Sequence, residues 1–287
     1  MVYVIMTDNV PLPRTTNVDA ITVSHYFHCM VNFIVFDKVF AGKLFRLGEH
    51  LQRLNNSLES IRIANPMDNG QWQDMLEQLV AVNGQGDQSL YIQVTRGCAP
   101  ERNHSFPANP VPTVFAMTSP LLPVDTKELA KGYSAITLDD IRWQWCNIKA
   151  ITLLPNVLLK QQAIDNNHCE AILIRDGLAI EGAASNLFVI SENSIITPPK
   201  SSALLPGITR DLVLELAQIN NFSWQEKQVP LSLMQSADEI WMTSSTKEII
   251  PIVELDGKPV SDGKAGPVWT RMIKVYQDYK AALSTPA

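Results

Sequence analysis

The sequence predicts a two-domain chain of mixed α+β and α/β character, with a smaller α/β domain over residues 1–119 and a barrel-like domain over 127–287. Three observations predict it. Helical and strand periodicities alternate through the first part, as expected when helices pack on one side of a mixed sheet. Many short strands with few helices crowd the second part. Between them the Pro-rich run PLLPVDT (120–126) reads as a linker.

The elements follow in order. VNFIVFDKVFAGKLFR (31–46) alternates apolar and polar residues around Ala41-Gly42 and predicts a hairpin. Leu47, Leu51, Leu54, Leu58 and Ile61 recur at steps of four and three, which predicts an amphipathic helix with one buried stripe. Trp72, Met75, Leu76, Leu79 and Val80 share the face of a second helix. Strands are expected at 89–97 and 112–119. Beyond the linker come the strands YSAITL, EAILIRD, LAIEG, SNLFVI and SIITP, with a tight hairpin at Asp176-Gly177 and helices over 152–166, 208–220 and 267–283.

Composition narrows the partners. With 46% hydrophobic and 18% charged residues the chain has the balance of a folded globule, and a net charge of −6 disfavours nucleic acid or an anionic membrane. No segment approaches the roughly 18 apolar residues of a membrane span. The opening MVYVIMTDNVPLP lacks the basic and apolar regions of a signal peptide. Cys29, Cys98, Cys146 and Cys169 have no CxxC spacing, which points to a reduced, cytoplasmic setting and away from a metal site.

Three segments carry chemistry. Lys149 lies in CNIKAITLLPNVLLKQQA (146–163), with Trp143, Trp145, Ile148 and Ile151 expected to give the apolar surroundings that help a lysine lose its proton. Glu181 ends a predicted strand and is followed by Gly182, Ala183, Ala184 and Ser185, small enough for a flat ring to approach the backbone. Gly207-Ile208-Thr209-Arg210 opens an apolar-periodic helix whose first N–H groups suit a phosphate, although Thr209 could also be a plain N-cap. Each is ordinary alone: a surface lysine, a turn glutamate, a helix cap. Together an amine, a carboxylate and a helix N-terminus are what pyridoxal phosphate needs from a protein. TSST (243–246) follows a predicted strand as a second hydroxyl cluster, and Arg102 with His104 sits in a Pro-flanked loop suited to gripping a carboxylate.

The joint pattern of EGAASNLF, then TP, then GITR resembles the fold-type IV pyridoxal-phosphate enzymes, from about residue 42 onward. This group contains the D-amino-acid and branched-chain aminotransferases and aminodeoxychorismate lyase. YIQVTRG, Arg102-x-His104, DDIRW and IKAITLLPNVLLKQQA are most similar to the D-amino-acid aminotransferases. The resemblance implies a barrel-like cofactor-binding domain and amino transfer between an amino acid, D-alanine for example, and a 2-oxo acid. It implies Lys149 as the Schiff-base lysine and proton shuttle, and Glu181 as partner of the pyridine nitrogen. Arg53, Ile208, Thr209, Ser244 and Ser245 would surround the phosphate, and Leu205 would back the ring. Arg102 and His104 would take the substrate carboxylate across the interface of a homodimer. The elimination catalysed by aminodeoxychorismate lyase is the alternative activity.

One stretch departs from the family. SHYFHCMVNFIVF (24–36) stands where the family carries an Arg-Gly-aromatic segment and Gly-Asp-Gly-x-Tyr-Glu, so that Ile34 replaces the tyrosine and Val35 the glutamate. The bulky replacements still suit a strand. Three readings are open: a different or more apolar substrate, cofactor binding with reduced or no turnover, or a local shift of the sequence that recovers near Val39.

Overall fold

In a computed structural model, residues 4–7, 14–16, 32–40, 42–84, 86–97 and 104–284 are described, with side chains described from Val39 onward. Arg102, Cys29, Cys98 and positions 24–31 lie outside them. Two compact units divide between Leu122 and Pro123, and the short stretch Ile148–Ile151 belongs with the first.

The first unit contains β1 (Val4–Thr7), β2 (Arg14–Thr16), β3 (Asn32–Phe40), β4 (Lys43–Leu44), α1 (Leu47–Ser60), α2 (Asn69–Val82), β5 (Gln88–Thr95) and β6 (Thr113–Pro120). Its strands form one sheet in the order β2-β1-β6-β5-β3-β4. Every pairing is antiparallel, so the expected mixed sheet is corrected here: neighbouring strands meet as hairpins or antiparallel returns and need no parallel crossover. β3 pairs with β5 from Asn32 to Val39, with Ile34 opposite Gln93 and Val35 opposite Ile92. A strand therefore persists over residues 32–36 of the departing stretch.

Helix α1 buries Leu51, Leu54 and Leu58 against Trp72, Leu76 and Leu79 of α2 and against Leu90 and Ile92 of β5. Helix α2 begins at a capping box: Asp68 accepts from the Gln71 N–H while the Gln71 side chain accepts from the Asp68 N–H. At the other end of α1, the Arg96 guanidinium donates to the carbonyls of Ile61 and Arg62, satisfying groups that the helix leaves open.

The second unit contains α3 (Thr126–Leu129), β7 (Tyr133–Asp139), α4 (Leu154–Asp165), β8 (Glu170–Arg175), β9 (Leu178–Gly182), β10 (Asn186–Ser191) and β11 (Ser194–Thr197). It continues through α5 (Ile208–Ile219), β12 (Ser223–Glu226), β13 (Val229–Pro230), α6 (Leu231–Gln235), β14 (Glu239–Ser244), β15 (Glu248–Leu255), β16 (Lys258–Pro259) and α7 (Pro267–Ser284). The strands make a ten-stranded sheet, β12-β11-β10-β14-β15-β7-β8-β9-β13, with β16 on β15. It is curled into a half-barrel. Arg175 pairs with Leu178 across a two-residue turn in which Asp176 (φ 53°) and Gly177 (φ 76°) both take positive φ, the geometry that suits a right-twisted hairpin. Leu159 and Ala163 of α4 pack on Ala171, Leu173 and Ala183. Among the described residues no helix is long and apolar enough to cross a membrane.

Leu54 is wholly buried in the first core. Leu54→Ala should therefore destabilise that unit by about 2–5 kcal/mol, read as a lower denaturant midpoint; a loss under about 1 kcal/mol would mean the cavity collapses.

Candidate active site

The site residues fall into two groups, one in each unit. In the first unit α1 carries a buried polar stripe beside its leucines: His50, Arg53 and Ser57, spaced three and four residues apart. Arg53, offset from the leucine stripe and named by the resemblance as a phosphate residue, is buried at 7% exposure. Its Nη2 lies 3.5 Å from His50 Nδ1. Burial, with the charges of Arg53, Lys149 and Arg46, holds the His50 imidazole well below its ordinary pKa. It is thus neutral and able to accept from a guanidinium. The Lys149 backbone N–H donates to Ser57 Oγ at 3.4 Å, laying the lysine segment along the same stripe.

Of the apolar residues expected around Lys149, Ile151 is 39% exposed, and Trp143 and Trp145, which belong to the second unit, are 39% and 57% exposed. Near Lys149 in its own unit lies the His50–Arg53 pair, of which the sequence reading named Arg53 and missed His50.

In the second unit Glu181, on β9, is 4% exposed. Its Oε2 accepts from Asn186 Nδ2 and from the Leu205 N–H, both at 3.1 Å, and its Oε1 accepts from Arg142 Nη1. Arg142 is fixed in turn by Asp140, through Nε to Oδ1 at 2.8 Å and Nη2 to Oδ2 at 2.9 Å, and Nη2 also donates to the Ala203 carbonyl. Arg175 adds a second guanidinium 2.8 Å from Asp140. Burial works against the Asp140 charge, but Arg142 and Arg175 outweigh it and hold the acid below the usual carboxylate range. At Glu181 the balance falls the other way. Burial pushes it up to about 7, against the pull of Arg142 and of the Leu205 N–H. Neither Arg142 nor Asp140 was expected at the site, although DDIRW holds both.

Leu205 and Gly207 lead into α5. Asn186 Nδ2 donates to the Leu205 carbonyl at 2.8 Å, and a Cβ on Gly207 would stand 2.0 Å from Asn186 Oδ1, so only glycine lets this turn close on β10. Gly207 is the N-cap and has no side-chain capping bond. Thr209 is therefore the second residue of the helix, which corrects the alternative of a plain N-cap. The N–H groups of Ile208, Thr209 and Arg210 have no acceptor within the helix. Ile208 and Thr209 are both buried.

Thr243 and Ser244 are the last residues of β14 rather than a loop beyond it, and Ser245 opens the turn to β15. Ser244 Oγ accepts from the Lys247 N–H at 3.1 Å. Thr243 stands opposite Asn186 in the β10–β14 register, so the two side chains share a face. Its hydroxyl is buried without a hydrogen-bond partner among the described residues. A carboxylate poised near neutrality, a helix N-terminus with open N–H groups and an unsatisfied hydroxyl fit a pyridine nitrogen and a phosphate. His104 is exposed, and its expected companion Arg102 lies outside the described residues.

Comparison with known proteins agrees with this chemistry. The family profile described as Amino-transferase class IV matches residues 35–255. A D-alanine aminotransferase of Bacillus licheniformis is 42% identical over 231 residues, 80% of this chain and 81% of that protein. One of Staphylococcus epidermidis (strain ATCC 35984) is 35% identical over 242 residues, covering 84% and 86%. Among solved structures, the branched-chain amino acid aminotransferase of Escherichia coli superposes with a TM-score of 0.84 at 22% identity, covering 96% of this chain and 93% of that one. The branched-chain enzyme of Thermobaculum terrenum in its PLP-form gives 0.82 at 20%, covering 98% and 94%. The chain belongs to the class IV aminotransferases, and its activity is pyridoxal-phosphate-dependent amino transfer. Neither the lyase nor a cofactor-binding protein without turnover is favoured by these relatives.

Glu181 holds its proton more tightly folded than unfolded, about 7 against an ordinary 4.5. Its contribution to stability is therefore full below about pH 4.5 and is lost as pH rises through about 7. In the apoprotein, Glu181→Gln should flatten the fall in melting temperature between about pH 5 and about pH 7.5; a slope like that of the wild type would refute the shift.

Proposed function

We propose that the protein is a cytoplasmic, homodimeric D-amino-acid aminotransferase that moves the amino group of a D-amino acid, D-alanine foremost, to a 2-oxo acid. The observation that carries the cofactor chemistry is the buried Glu181 with its three fixed donors. The D-amino-acid substrate is supported by the relatives of 42% and 35% identity.

Bound pyridoxal phosphate supplies an electron sink for the charge that develops at the amino acid Cα. Glu181 keeps a proton at the pyridine nitrogen, and Arg142 keeps Glu181 in place for it. The open N–H groups of Ile208 and Thr209, the hydroxyls of Ser244 and Ser245, and the Arg53 guanidinium hold the phosphate, with His50 orienting Arg53. Leu205 backs the ring. Lys149 Nζ carries the cofactor between turnovers, and once released it takes the proton from Cα and returns it on the other side of the transfer. Arg102 and His104 receive the substrate carboxylate, supplied by the partner subunit.

An exposed apolar face on α4 supports the dimer: Leu154, Val157 and Leu158 are 69%, 60% and 54% exposed while Leu159 and Ala163 face the core. An apolar helix face of this kind marks an association surface. The free thiols Cys146 and Cys169 support a reducing compartment.

Three measurements test the reading. Borohydride reduction should fix the cofactor on the peptide bearing Lys149, and Lys149→Ala should lower turnover by at least about a thousandfold. Spectral conversion of the bound cofactor should proceed with D-alanine and fail with L-alanine. Conversion by L-amino acids alone would overturn the substrate assignment. Arg102→Ala should raise KM for the amino acid by about tenfold or more with a smaller change in kcat, and wild-type kinetics would remove Arg102 from the site.

A further inference from the structure

Glu248 combines two unfavourable features. It is wholly buried, and its φ of 61° puts a non-glycine residue in the left-handed region. Glycine or asparagine usually fills such a position, because a larger side chain there crowds its own backbone. A buried carboxylate also has to be matched by donors that stay in place. The C-terminal helix supplies them. On α7, Lys280 Nζ lies 2.5 Å from Oε1 and Gln277 Nε2 donates to Oε2 at 2.6 Å. Lys280 also donates to the Gln277 amide oxygen at 3.2 Å, so the two donors brace each other.

The place of Glu248 gives this clamp its meaning. It is the first residue of β15 and pairs with Ser244, the last of β14. Residues 245–247 form the turn between them, and the Lys247 N–H closes on Ser244 Oγ. That bond uses the Ser244 oxygen as an acceptor, so its O–H remains able to donate to another group. The conformation of Glu248 sets where the turn ends, and hence where the Ser244 and Ser245 hydroxyls stand.

We propose that Glu248, held by Lys280 and Gln277 of the C-terminal helix, is a positioning residue for cofactor phosphate: the clamp fixes the β14–β15 turn so that Ser244 and Ser245 present their hydroxyls to it. This rests on the role proposed above for those two serines. A clamp that only docked α7 to the sheet would affect every ligand of the unit alike. A positioning clamp acts on the phosphate alone.

The test titrates apoprotein with pyridoxal phosphate and, separately, with pyridoxal, which lacks the phosphate, following tryptophan fluorescence. Glu248→Gly suits the backbone at this φ and removes the carboxylate; Lys280→Met removes the charged donor from a different element. Each should weaken pyridoxal phosphate binding about tenfold and change pyridoxal binding by less than about twofold, while Lys280→Arg keeps the wild-type ratio. Equal changes for both ligands, or no change for either, overturn the inference. A wild-type protein that binds pyridoxal but gains nothing from the phosphate overturns the phosphate site itself, and the clamp with it.

Discussion

A carboxylate removed from water sits at the centre of the second unit, and the geometry around it follows from the need to match it. Glu181 sits on β9, Asn186 on β10, Arg142 just past β7, and Leu205 ahead of α5. One acid thus ties four separate segments together. Arg142 is buried too and would be as costly alone; Asp140 answers it, and Arg175 answers Asp140. Removing one member of such a chain leaves its neighbour buried and unmatched, which is far more damaging than never having built the pair. The net result places Glu181 near neutrality.

The start of α5 offers backbone N–H groups. Gly207 lets the chain press against Asn186, so the residue that steadies Glu181 also sets the start of α5. The buried acid and the start of α5 are therefore linked through a single amide side chain. A shift in one moves the other.

Much of this was legible in the sequence, and the limits have physical causes. The two helices of the first unit followed from leucine and Trp-Met-Leu spacing, because an amphipathic helix writes its buried face into its period. The helix opening at Gly207-Ile208-Thr209 was legible for a similar reason, because its apolar period follows directly in the chain. Arg142 and Asp140 were quoted only as part of a resemblance, since their importance comes from Glu181, some forty residues on. His50 stood in plain view three residues before Arg53, but a histidine on a helix has no meaning until the facing segment is known. Glu248 was hidden more deeply, because a left-handed backbone at a glutamate leaves no trace in composition. The all-antiparallel first sheet was misjudged because alternating helices and strands do not by themselves set strand direction.

Covalent order and spatial membership disagree at Ile148–Ile151. These four residues belong with the first unit, yet chain of the second unit runs on either side of them. A fragment ending at Leu122 would keep His50, Arg53 and Ser57 but lose the amine they accompany. A fragment beginning at Pro123 would carry the lysine without the helix that receives its backbone. No single cut separates this protein into its two parts.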